Sequence, residues 1–365
     1  MRLRVLRTGI CGSDVKEVLL QAASDNPLSG LVSFPHVPGH EVVARVEEAG
    51  SGQFSPGRLV VVDPWVGCVA RGLDRLCAAC ERGFPPHCWG VPDGGPWGTG
   101  RGMHLGNFQG LPGGFAEVIW AHPSQCHPLP EGLPFQLGVL ADPLAVGLHA
   151  VERAGAEPAG PILVLGAGTI GLALALAARE RWPELPVWVT AAWPHQLDRI
   201  RALGAEALPL DSSSVIPEMA RQGQGRLVRP WRGGPWVLGG GAALVLDSLG
   251  SRSSTELALR CLAPRGRIVV VGVAKPERTE TTLTYYKEAE ILGSNGYGRS
   301  ELLEGSPHLL ELALQTLARR RAELSRWCTH SFPLESYRAA FEAAANPGRR
   351  SVIKVSLELS EEAGR

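Results

Sequence analysis

Two hydrophobic rhythms divide the chain. Up to about residue 140, apolar residues fall in short Val-rich runs broken by Gly and Pro. Residues 41–47 (EVVARVE), 58–62 and 114–120 (GFAEVIW) are runs of this kind and read as strands, so the first part is mostly β. Residues 92–114 carry Gly-Gly, Gly-Thr-Gly and Pro-Gly-Gly and read as loop. From about residue 143 the pattern changes. Residues 161–165 (PILVL) are wholly apolar, as in a strand buried on both faces, and residues 170–181 follow as an apolar helix. Strands at 186–191, 243–247, 267–273 and 290–293 and a helix at 197–203 continue the alternation. Strands alternating with helices predict an α/β unit of the Rossmann type, a doubly wound parallel sheet. Residues 221–241 are rich in Gly, Arg and Trp and read as a loop. Past residue 298 a helix (306–320), a strand (329–332), a helix (334–344) and a last strand (351–357) are expected.

Composition narrows the function classes. A chain of 365 residues exceeds one simple core and implies two domains. Its formal net charge of zero offers no field to hold nucleic acid or an anionic membrane. No apolar run is long enough to span a bilayer, and the longest, 162–178, is broken by Gly166, Gly168 and Gly171. The N-terminus lacks a signal-peptide pattern, so a cytoplasmic enzyme is expected. Eight cysteines, four of them clustered at 68, 77, 80 and 88, suggest metal rather than a disulfide framework.

One local motif carries a mechanism by itself. Residues 165–171 (LGAGTIG) place G-x-G-x-x-G directly after a strand and at the start of a helix. Gly166 makes the turn, Gly168 lets a pyrophosphate approach the backbone, and Gly171 lets the helix pack closely. Thr169 and Ile170 open the helix, whose free N–H groups and positive dipole end face the phosphates. An NAD site usually has an acid about 20 residues on, at the end of the second strand. Here that strand runs into Ala191, Ala192 and Trp193, with His195 and Arg199 just beyond. This favours NADP, or use of both NADP and NAD. The cluster Cys77-x2-Cys80-x7-Cys88 has zinc-ligand spacing, with Cys68 as its fourth member.

These pieces occur in order with G-I-C-G-S-D (9–14), P-G-H-E (38–41) and A-D-P-L (141–144). In that combination the chain resembles the zinc-containing medium-chain dehydrogenase/reductase family, which includes alcohol, sorbitol, threonine and glucose dehydrogenases. The resemblance runs from Cys11 to the C-terminus. It implies a mostly β GroES-like catalytic domain at 1–142 with a cysteine lobe at 64–90, a Rossmann domain at 143–297, and a return to the catalytic domain at 298–365. It implies two zinc ions, one catalytic and one structural. Cys11 and His40 match ligands of the catalytic zinc, Glu41 the carboxylate beside it, and Asp142 the third ligand, directly or through water. Asp142 before Pro143 also suits a helix cap. Ser13 matches the hydroxyl that takes the alcohol proton, and Asp14 the acid that orients the histidine. Cys68, Cys77, Cys80 and Cys88 match the structural zinc, although Cys68 stands nine residues before Cys77, a longer loop than the family's.

The implied activity is hydride transfer between an alcohol, polyol, sugar or amino-acid alcohol and NAD(P), in a homodimer or homotetramer. Two alternatives stay open: a zinc-free quinone or enoyl reductase of the same fold, and an inactive dinucleotide-binding relative. Two departures bear on them. Lys16 replaces the histidine that ends the family's proton relay. The chain also begins close to Cys11, which implies a misplaced start or an exposed edge strand. The substrate pocket is expected from the loop after Cys11, residues 89–114 and the region of Asn295, Gly296 and Tyr297. His104 is a possible polar contact there, and Trp65, Trp89 and Trp97 are possible walls.

Overall fold

The computed structural model describes residues 1–18, 26–50, 53–92, 101–273 and 277–359. The chain forms two compact units, Met1–Ala145 with Gly296–Arg365, and Val146–Asn295.

In the second unit, six strands form one sheet in the order Glu290–Gly293, Leu262–Val270, Ala242–Asp247, Ile162–Leu165, Val187–Ala191, Glu206–Pro209. Every neighbouring pair is parallel. The direction of winding therefore reverses between Ile162–Leu165 and Ala242–Asp247, the switch point of a Rossmann sheet. All four residues of Ile162–Leu165 are completely buried, which is why that run is apolar without alternation. Residues 221–241 are not loop throughout. Arg226–Val228 pairs antiparallel with Trp236–Leu238, and the fully buried Val237 joins a core cluster with Met219 and Ala220. The surrounding glycines masked a three-residue alternation around one inward valine.

In the first unit the main sheet runs Cys328–Pro333, Lys354–Glu358, Arg2–Ile10, Glu41–Glu48, Leu59–Val62, Cys126–Pro128. Of the two readings of the short N-terminus, an exposed edge is not found at Arg2–Ile10, which is paired on both sides. Glu41–Glu48 lies along one side of it; on the other, Val118–Trp120 covers residues 2–4 and Lys354–Glu358 covers residues 7–10. Its inward residues Leu3 and Val5 share a core with Val42, Val60 and Ile119. The strand expected over 114–120 shortens to Val118–Trp120. Its first residues instead hold the loop before His40: Gly114 N donates to the Gly39 carbonyl at 2.7 Å and Phe115 N to the Pro38 carbonyl at 3.0 Å. Among the described residues no helix is long and apolar enough to cross a membrane.

Candidate metal and dinucleotide sites

Antiparallel register builds the first cluster. Gly9 pairs with Glu41, so Cys11, just past the end of one strand, lies beside His40, just before the start of the next. Cys11, His40 and Glu41 each present a donor atom, and these atoms lie within 4.8 Å of one another. The Glu41 carboxylate crosses directly over Gly9, where a Cβ would overlap its Oε2. The first glycine of G-I-C-G is thus required by close approach.

One buried carboxylate lies against both neighbouring donors. Asp14 Oδ2 accepts from the Cys11 backbone N–H at 2.8 Å, and Oδ1 lies 3.5 Å from His40 Nδ1. Burial raises the Asp14 carboxyl, but His40 and the Cys11 amide outweigh it and hold it below the usual range. Burial pushes the His40 imidazole down, while Asp14 and Cys11 hold it well above its ordinary value. With Nδ1 turned to Asp14, Nε2 is the nitrogen left for a metal. This donor set, a thiolate, an imidazole and a carboxylate backed by a further carboxylate, fits zinc.

Asp142 stands outside that mutually close set. It lies within the first turn of helix Ala141–Arg153, and its Oδ1 accepts from the Tyr297 hydroxyl at 2.8 Å. Burial lifts its carboxyl to about 6, with His40 pulling the other way. Ser13 is exposed and Lys16 half-buried on helix Gly12–Val18. Burial lowers the Lys16 ammonium, and Cys11 opposes the shift. His104 packs with its ring 4.9 Å from that of His40, and its Nδ1 bonds the Leu105 carbonyl at 2.7 Å. Burial, then His40, push it down to about 3, so it stays neutral. Trp65 meets His104 edge-on at 5.3 Å. Trp89 is exposed on the cysteine lobe, and Trp97 lies outside the described residues.

Sequence reasoning missed Lys354. Its Nζ forms a very close ion pair with Glu41 Oε2 and donates to the Ile10 carbonyl at 3.2 Å. Both side chains are buried, at 3% and 1% exposure, so neither charge is relieved by water. Burial pushes the Lys354 ammonium down, but the negative charge of Glu41 and Cys11 leaves it raised. The available signal was a single lysine inside the apolar run Val352–Ile353–Lys354–Val355, in a chain with few lysines.

The cysteine lobe is a second cluster. Cys68, Cys77, Cys80 and Cys88 present four sulfurs within 4.8 Å of one another, and all four are free thiols. Backbone N–H groups aim at every sulfur: Cys77 N at Cys68 Sγ (3.3 Å), Cys68 N at Cys80 Sγ (3.4 Å), Gly90 N at Cys88 Sγ (3.4 Å) and Trp89 N at Cys77 Sγ (3.5 Å). Such donors are what ligating thiolates need around a four-sulfur zinc. The long spacing after Cys68 is taken up by turns closed by Arg71 N to Gly67 O and Leu73 N to Cys68 O. Buried Arg71 stiffens them by donating to the Val66 carbonyl at 2.9 Å and to that of Gly102.

In the second unit, strand Ile162–Leu165 passes through Gly166 into helix Thr169–Arg181. Gly166 has φ +93°, and a Cβ on Gly171 would collide with the Gly166 carbonyl. A Cβ on Gly168 would meet nothing within 4 Å, so the space beside the helix start is open, as a phosphate requires. Gly166 N donates to Thr190 Oγ1 at 2.8 Å, tying the turn to the second strand. Thr169 and Ile170 contribute to the first turn, whose amides lack intrahelical partners. Beyond strand Val187–Ala191, Trp193 stacks on His195 and Arg199 donates to the His195 carbonyl. The arrangement fits a dinucleotide.

Comparison with known proteins agrees in both units. The family profile described as "Alcohol dehydrogenase GroES-like domain" matches residues 1–131, and that described as "Zinc-binding dehydrogenase" matches residues 169–312. An uncharacterized zinc-type alcohol dehydrogenase-like protein of Haemophilus influenzae is 31% identical, covering 80% of this chain and 75% of its own. Sorbitol dehydrogenase of Bos taurus is 28% identical, covering 94% and 85%. Among solved structures, an L-idonate 5-dehydrogenase of Escherichia coli shares the fold with a TM-score of 0.74 at 21% identity, covering 98% of this chain and 90% of its own. The chain belongs to the zinc-type alcohol dehydrogenase family, with a GroES-like domain joined to a Rossmann-type zinc-binding dehydrogenase domain.

Proposed function

We propose that the protein interconverts a polyol-like or sugar-like secondary alcohol and its carbonyl, with NADP or NAD as hydride partner. The observation that carries this is the convergence of Cys11, His40 and Glu41 within 4.8 Å. The sorbitol dehydrogenase relative supports the polyol class, and so does an oxygen donor at Asp142. Cys11 and His40, with Glu41 close by and Asp142 further out directly or through water, would hold the catalytic zinc, which when bound supplies a Lewis acid that eases ionisation of an alcohol O–H.

This chain's own residues supply the rest. Asp14 holds the Cys11 backbone by a hydrogen bond and sets its carboxylate 3.5 Å from His40 Nδ1, which favours that orientation of the ring. Tyr297 orients the Asp142 carboxylate. Lys354 neutralises Glu41, keeping a second carboxylate beside the donors. Ser13, exposed at the start of its helix, takes the hydroxyl proton and passes it outward, with Lys16 one turn further on. Gly166, Gly168, Thr169, Ile170 and Gly171 cradle the pyrophosphate, and His195 and Arg199 meet the adenosine ribose end. The four-cysteine lobe holds the structural zinc. The same reading makes the protein a cytoplasmic homodimer or homotetramer acting on small molecules and on neither nucleic acid nor membrane. Eight free cysteines suit a reducing compartment.

The test is a panel of polyols, sugars, threonine and simple alcohols, run on zinc-loaded protein with NAD and with NADP. Polyols should exceed ethanol in kcat/KM by at least about tenfold. Two results would overturn the proposal: dinucleotide binding without turnover on any alcohol, or quinone or enoyl reduction that survives zinc removal.

A further inference from the structure

A third cluster lies in the first unit, outside both sites above. Strand Leu59–Val62 runs into Asp63, and the neighbouring strand Cys126–Pro128 sets His127 opposite Val61. Asp63 is two residues beyond Val61, so Asp63 and His127 face the same side of the sheet. His308 precedes helix Leu309–Arg319 and completes the group. One donor atom from each of Asp63, His127 and His308 lies within 4.8 Å of the others.

Two details point to a ligand. His127 is 6% exposed, and its Nε2 is buried without a hydrogen-bond partner among the described residues. Its Nδ1 lies 3.2 Å from Glu311 Oε1, the first-turn acid of the same helix. A carboxylate acceptor there fixes the proton on Nδ1 and leaves Nε2 as a bare lone pair, the tautomer of a metal-bound histidine. Burial, then His308, push the His127 ring below its ordinary value, against the pull of Asp63 and Glu311. His308 Nε2 is 3.3 Å from Asp63 Oδ2. Two donors bound about 2 Å from one tetrahedral ion stand about 3.3 Å apart.

We propose that Asp63, His127 and His308 form a third metal site, for a divalent ion of the zinc class. Two imidazoles and one carboxylate select such an ion over magnesium or calcium, whose preferred donors are all oxygen. The negative charges of Asp63 and Glu311 balance those of the ion. His308 must change tautomer. Its Nδ1 now accepts from Leu310 N at a long 3.3 Å, and metal binding moves the ring proton from Nε2 to Nδ1 at the expense of that weak bond. No proton is lost to solvent in the exchange. The ion would staple helix Leu309–Arg319, from the returning C-terminal segment, onto strands of the N-terminal segment.

The test is metal counting on the full chain. Protein is stripped with a chelator, reloaded with excess zinc, freed of loose ion by gel filtration and assayed by mass spectrometry. Wild type should carry about one zinc per chain more than the near-isosteric Asp63→Asn variant, and zinc should raise its Tm further than the variant's. Because the readout is a difference, it does not depend on how full the other two sites are, or on the proposed activity. If Asp63→Asn does not fold, His127→Gln on the edge strand replaces it, with the same expected difference. Equal zinc content in wild type and the folded variant would overturn the proposal.

Discussion

Cys11→Ser and His40→Ala should each lower kcat/KM by roughly a thousandfold, while dinucleotide binding stays within about twofold of wild type. The magnitude follows from what a Lewis acid contributes. That contribution is several kcal/mol, and about 4 kcal/mol corresponds to roughly a thousandfold in rate. Dinucleotide affinity should persist because the glycine turn belongs to the other compact unit, with its own sheet and core. Asp14→Asn gives a graded control. It keeps the shape but weakens the acceptor of the Cys11 amide and removes the negative charge beside His40, and should cost about 10- to 100-fold in zinc affinity or activity. Steady-state kinetics with zinc supplied, alongside titration of dinucleotide fluorescence, checks all three. Full activity in either ligand variant would refute the assignment.

Lys354→Met should give the largest loss of stability. The variant keeps the bulk of the side chain but leaves the Glu41 carboxylate buried, with its counter-charge gone. Breaking one partner of a buried ion pair costs about 3–5 kcal/mol, because an uncompensated charge remains in a poorly solvated site. In a unit of this size that lowers Tm on the order of 10 °C. The double variant Glu41→Gln, Lys354→Met removes both charges and should recover much of the loss. Since Glu41 lies within 4.8 Å of the Cys11 and His40 donors, a bound divalent ion would partly replace the lysine. The gap between Lys354→Met and wild type should therefore be widest in chelator-treated protein and narrow after zinc loading. Calorimetry in both states measures this; a gap unaffected by zinc would place Glu41 outside the field of the metal.

What could be read from the sequence was what is local. The turn at Gly166–Gly171 announces itself in seven consecutive residues, because strand end, glycines and helix start must be neighbours in the chain. The parallel Rossmann sheet followed from periodicity for the same reason, and the cysteine lobe from the close spacing of Cys77 and Cys80. Contacts created by sheet order were not legible. Lys354 reaches Glu41 only because the last strand pairs with the first, and Asp63 meets His127 only because their strands are adjacent. Tyr297 was expected near the pocket, but nothing in the chain announced that its hydroxyl would take an oxygen of Asp142. Whether the short N-terminus left an exposed edge was not legible either, because the partners of the first strand, residues 118–120 and 354–358, lie far along the chain. The hairpin at Arg226–Val228 and Trp236–Leu238 was hidden by glycine-rich flanks, where composition outweighs a pattern only three residues long.

The most direct measurement is the rate of dinucleotide reduction as zinc is returned, in counted equivalents, to chelator-stripped protein with a turned-over polyol. If an ion between Cys11 and His40 is where the alcohol is activated, stripped wild type should be nearly inactive and should regain its rate as zinc is added. Cys11→Ser should stay inactive at every zinc level. A rate that survives stripping, or one that zinc restores equally in Cys11→Ser, would contradict it.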